Sequence, residues 1–281
     1  MVIWRLGKEG YEMFKKFNTL FEEDFAFFRI PFKSRRQTLT NLKKGLYFGI
    51  FLQTFLSFIH FFIWQDPVND FGLLLNILLV ISFSISIILI IMSIIFTLPS
   101  VYQQKQHTQY LVVSLMLLNV FGLSMYTIGL YLLQMNVDIT ENAFRIFVIV
   151  SIFLYAVFMI FVFMRLTRSL MKGEFREDTG KYDHERALKQ DKKRTSKFLE
   201  FTVVLIGIIF IVQFMLNNFV TMDVRMMILT IIMLLLPYLM LYMFGHSLIT
   251  YYCKKRFASF NFDDEENLNP SGSGDKLKHF G

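Results

Sequence analysis

The chain has 281 residues, of which 54% are apolar, 17% aromatic and only 18% charged, with a formal net charge of +7 and a mean hydropathy of +0.48. Soluble domains run nearer about 45–50% apolar and about 25% charged, and too few polar residues remain here to cover two water-soluble globules. Collagen, coiled coil and disordered chain are excluded by composition, and a single cysteine, Cys253, excludes a disulfide scaffold or a multi-cysteine metal site.

The first segment, 1–44, carries Phe14, Phe17, Phe21, Phe25 and Phe28 at steps of three, four, four and three, which is one stripe on a helix. Lys15, Lys16, Glu22, Glu23 and Asp24 populate the other faces, and Pro31 is expected to end the helix. Lys33, Arg35, Arg36, Lys43 and Lys44 follow. Aromatic stripe and basic flank together predict an amphipathic helix lying in the membrane interface, where the cations meet anionic headgroups. The same Phe face could instead dock on a partner protein.

Six apolar runs come next, at about 45–64, 72–97, 110–134, 146–164, 201–220 and 226–252, and none contains Asp, Glu, Lys or Arg. Each is long enough to span a bilayer as a helix. An ionised side chain at a span centre costs about 2.5–3.5 kcal/mol on insertion scales, so clean runs are a strong signal. The first run begins at residue 45 and is longer than the apolar stretch of a signal peptide, so no cleaved leader is expected. Lys and Arg concentrate in 1–44, in the loop 165–200 and in the tail; only Arg145 and Arg225 fall on the other side. The positive-inside rule then predicts both termini in the cytoplasm. The short outer loops hold Asp66, Asp70, Asp138, Glu141 and Asp223. The richness in Phe, Ile, Lys and Asn suggests an AT-rich genome, hence a bacterial plasma membrane. The predicted fold is therefore all-α: a bundle of six transmembrane helices, 45–253, behind an interfacial helix.

Within the spans the polar residues stand out. Gln53, Asn119, Gln213 and His246 are expected to face the bundle, because an amide in lipid must find a partner. His60 lies near the outer end of the first span. Ser82 and Ser86 share a face, Gly45 and Gly49 form a GxxxG step, and Pro237 should bend the last span. The loop 165–200 turns near its glycines, and its second part, from Asp183, has helical composition. Residues 254–281 open with Lys254, Lys255 and Arg256 and read as a mobile cytoplasmic tail; the Ser-Gly-Ser-Gly stretch within 270–281 reads as linker.

Signatures of chemistry are missing: there is no HExxH, GxxxxGK[ST], GxSxG or CxxC. Asp183, His184 and Glu185 could face lipid headgroups but form no known catalytic constellation. No enzyme activity, cofactor, metal or nucleic-acid partner is expected. Ion-coupled carriers generally place a carboxylate in the bundle core, and none is present in these spans. The sequence thus points to a permease-type membrane subunit of a transport or export complex, served by a cytoplasmic ATPase or another membrane protein, and capable of oligomerising. The alternative is a toxin immunity protein or a membrane scaffold of an envelope or secretion machine.

Overall fold

The structure is a computed structural model that describes residues 19–65, 73–136, 140–176 and 222–271. Among these the chain is helical, without strands. A 3-10 turn, Glu22–Phe25, leads into α1, Ala26–Lys33. Two long helices follow, α2 (Leu39–Gln65) and α3 (Leu73–Ile95), and then the short α4 (Pro99–Tyr102). α5 (Gln106–Leu118) continues through a π-helical turn, Asn119–Ser124, into α6 (Met125–Asn136). α7 (Glu141–Met171) and α8 (Met222–Arg256) complete the bundle. A 3-10 turn, Ala258–Phe260, and one bridge between Phe262 and Leu268 close the described chain.

Five helical stretches are long and apolar enough to cross a membrane: Leu39–Gln65, Leu73–Ile95, Gln106–Met135, Glu141–Met171 and Met226–Arg256. They coincide with five of the six expected runs; the sixth, 201–220 with Gln213, lies outside the described residues. Their outward faces are apolar. Phe48, Phe51, Phe55, Phe58 and Phe62 stand exposed along one side of α2, and α7 exposes Ile146, Phe153, Ile160 and Phe161. A surface of this kind far exceeds the apolar patches that water tolerates and fits a multi-pass protein in lipid.

The helices pack with α2 beside α3 and α5, and with α8 against α5, α6 and α7. α2 and α5 approach closely at Gly49, where a Cβ would collide with Met116 Sδ. Gly45, the other half of the GxxxG step, has nothing within 4 Å of its Cβ position among the described residues, so only Gly49 of the pair makes a helix contact there. Met116 and Leu46 join Val112 and Phe96 in a small apolar cluster. Leu56, Ile63, Leu75, Leu79, Tyr126, Leu130, Phe144 and Val148 form a second core at the end of the bundle away from the described chain ends.

Two sequence expectations fail at α1. Pro31 sits inside the helix and the chain turns only after Lys33; tertiary contacts hold α1 although proline supplies no donor to Phe27 O. Phe21, Phe25 and Phe28 do not share one outward stripe. The 3-10 turn changes the angular step between them. Phe21 is exposed, whereas Phe25 and Phe28 are buried in the bundle end. Phe14 and Phe17 lie outside the described residues.

Gly49→Leu is expected to lower thermal stability in detergent by about 1–3 kcal/mol through overpacking. Gly45→Leu should stay within about 0.5 kcal/mol of the parent, as an unconstrained surface change does; equal losses from the two, measured by thermal unfolding, would contradict this packing.

Candidate functional site: a buried polar layer and an aromatic clasp

The polar layer is built from three helices. Gly49 meets Met116, and His60 meets Thr127, at the same sequence offset along α2 and the α5–α6 helix. The two helices therefore run parallel and in register, which brings Gln53 level with Asn119 and Val120. α3 runs the opposite way: Asn119 Nδ2 donates to Ser86 Oγ at 2.8 Å, and Gln109 Nε2 to Phe96 O at 3.3 Å. Ser86 in turn donates to Ser82 O at 2.9 Å. One level thus holds Gln53, Ser86 and Asn119; beyond it come Ser57, Ser82 and Ser124, and then His60 with Thr127.

Every one of these side chains is buried, and Leu56 and Val120 are packed among the same helices. His60 Nε2 lies 2.7 Å from Thr127 Oγ1. The Thr127 hydroxyl also approaches Ser124 O at 2.9 Å and Leu123 O at 3.2 Å. Thr127 thus stands between the imidazole and the backbone of its own helix. The layer centres on the π-helical turn, where the i→i+5 pattern widens the helix; such turns recur at functional sites.

The layer is not internally satisfied. Gln53 is 1% exposed, yet neither Oε1 nor Nε2 has a hydrogen-bond partner among the described residues. Ser57 Oγ, Ser82 Oγ, Ser124 Oγ and Asn119 Oδ1 stand the same way. An unmet buried polar group ordinarily costs about 1–3 kcal/mol.

The clasp closes the opposite end. Phe25, Phe28, Phe32, Leu39, Tyr110, Leu166, Leu170, Phe175, Cys253, Phe257, Phe260 and Phe262 make one cluster there. Residues 257–269, expected as the start of a mobile tail, instead fold back across the helix ends. Gln106 clamps Phe262 from both sides, accepting from its N–H at 2.9 Å and donating to its carbonyl at 2.7 Å. Glu266 Oε1 accepts from Thr40 N at 3.1 Å, at the free N–H end of α2, where a carboxylate is stabilised by the helix dipole. Phe27 N donates to Phe175 O at 3.1 Å, tying α1 to the turn after α7, and the buried Asp24 carboxylate binds Arg176. That contact holds the Arg176 guanidinium above its ordinary pKa.

Two cations are drawn into the clasp. Lys254, expected at the start of a mobile tail, is 1% exposed: Nζ donates to Phe260 O at 2.7 Å and lies 4.4 Å over the Phe32 ring and 5.3 Å over that of Phe262. Ring faces and one carbonyl replace the water that a lysine otherwise keeps. Arg29 is buried likewise, with Nε donating to Ser259 O at 3.0 Å and Nη2 to Asn269 O.

Of the residues singled out in the sequence, Gln53 and Asn119 are buried in the bundle. His246 is half-buried and sits with Phe28 and Tyr242, with ring centroids 5.8 and 5.0 Å away, remote from the polar layer. Arg35, Arg36 and Lys44 are exposed beside the clasp, and Lys43 lies 5.9 Å over each of Tyr47 and Tyr102. Glu141 pairs with Arg145 at 3.3 Å on the surface. Ser57, Ser124, Thr127, Lys254 and Arg29 were not foreseen as parts of either site. The steps 53, 57 and 60 do lie on one helical face and could have revealed the first. Among the described residues no group of three or more His, Cys, Asp or Glu side chains could hold a metal ion. Protein-family models, characterised proteins and solved structures contain no match to this chain.

Lys254→Ala removes a hydrogen bond and two ring contacts, and is expected to lower stability by about 2–3 kcal/mol. Lys255→Ala, at an exposed neighbour, should change it by less than about 0.5 kcal/mol. Parallel thermal unfolding in detergent checks the contrast.

Proposed function

We propose that the chain is a permease-type membrane subunit of a transport or export complex, with six spans, both termini in the cytoplasm and no catalytic site of its own. The observation that carries this reading is the polar layer itself. Three apolar helices sink Gln53, Ser57, Ser82, Ser86, Asn119 and Ser124 into their common interface. Helix-to-helix adhesion alone would favour paired groups, because unpaired ones weaken it. A layer without charge suits a route whose driving force comes from an ATPase partner rather than from an ion gradient.

The topology has independent support. α7 and α8 run the same way, with Tyr155 beside Leu234 and Val162 beside Gly245. Two described spans that run parallel are what six spans with both termini on one side would give, and the apolar run 201–220 is long enough for a crossing between them. Both described chain ends meet at the clasp, beside exposed Arg35, Arg36 and Lys44, which suits a cytoplasmic face against anionic lipid.

The reading as an immunity protein or membrane scaffold is favoured by a different observation. Apolar clusters lie on both sides of the layer, Leu46, Val112 and Met116 on one and Ile63, Leu75 and Leu130 on the other. Affinity purification from native membranes in mild detergent, with mass spectrometry of the bound proteins, separates the two readings. The permease reading expects an ATPase in near-equal amount. A secreted toxin or a secretion-machine component without an ATPase would replace it with the second.

A further inference from the structure

We infer that the polar layer at the π-helical turn is a binding chamber for a small neutral ligand that both donates and accepts hydrogen bonds, with water as its smallest occupant. The donor and acceptor inventory selects that chemistry. Gln53 Nε2 has two hydrogens with no acceptor among the described residues, while Gln53 Oε1 and Asn119 Oδ1 are acceptors with no donor. The hydroxyls of Ser57, Ser82 and Ser124 can play either part.

A bare metal cation would satisfy the carbonyl oxygens and leave the Gln53 donors unmet. It would also stand in an apolar bundle with no carboxylate in the spans to balance it. An anion would satisfy the donors and be repelled by the amide oxygens. Water and small hydroxyl- or amide-bearing solutes meet both needs, and a buried water typically makes about three hydrogen bonds to such groups.

The surroundings explain how the ligand would be retained. On the clasp side Leu46, Val112 and Met116 close the layer, with Met116 seated in the space left by Gly49. On the other side Ile63, Leu75 and Leu130 do so. Met116 is the movable member, since its unbranched thioether re-packs at low cost. The inference deepens the permease reading, and its meaning for transport rests on that reading. Occupancy of the chamber by water does not.

Water itself is the probe. The full chain, with nitrogen-labelled glutamine, is placed in lipid bilayers, and magnetisation is transferred from water to protein by solid-state NMR. The Gln53 side-chain amide is identified by its loss in Gln53→Leu. The chamber predicts transfer to Gln53 within a mixing time at which the buried Leu130 methyls receive none. Transfer as absent at Gln53 as at Leu130 would overturn the inference. Because this readout needs neither flux nor a partner, a purification without an ATPase would remove the permease reading and leave the chamber standing.

Discussion

Hydrocarbon offers no hydrogen bonds, and that constraint organises this bundle. A polar side chain in a span has to find its partner on another helix or carry the cost of having none. The response here is segregation. The exposed sides of α2 and α7 are given over to Phe and Ile, while the serines, amides and His60 are gathered between α2, α3 and the helix that runs through the π turn. The gathering depends on helix register. Gly49 lets α2 approach Met116, and that approach sets which levels face each other further along, including the bond between His60 and Thr127.

The same constraint acts differently at the clasp. There the problem is two cations, Arg29 and Lys254, and no acid is bonded to Lys254 among the described residues. At Lys254 the Phe260 carbonyl and the faces of Phe32 and Phe262 take the place of a carboxylate, and Arg29 donates to carbonyls of the returning chain. Carbonyl ends and ring faces stabilise a desolvated cation without adding a second charge that would also have to leave water. The segment after α8 is fixed by these contacts, and it fixes α1 in return. Both described ends of the chain therefore belong to one structure across the ends of α5, α7 and α8.

What could be read from the sequence follows the range of the interactions involved. Apolar runs and their lengths are local, and the five described spans appear where those runs lie. Gln53 and Asn119 were legible because an amide inside an apolar run must turn inward, and Ser82 and Ser86 because they lie one turn apart. Ser57, Ser124 and Thr127 are ordinary in such runs, and their joining with Gln53 depends on the register between helices. Lys254 misled for a related reason: Lys-Lys-Arg at a span end describes the start of a mobile tail unless later residues return to cover it. The polar composition of 257–269 hid that return, and the 3-10 turn put Phe21, Phe25 and Phe28 out of phase. His246 turned to the clasp rings rather than to the amides, a choice that periodicity on α8 alone does not settle.

The central claim is that α2 and the π-containing helix lie parallel and in register, with the polar groups of α3 between their levels. It can be tested by cysteine cross-linking in native membranes, in a Cys253→Ser background that removes the one native thiol. His60→Cys combined with Thr127→Cys should cross-link efficiently with a short thiol reagent, and His60→Cys with Val112→Cys should not. Efficient linkage of the second pair, or none of the first in a folded protein, would contradict the register from which the polar layer is built.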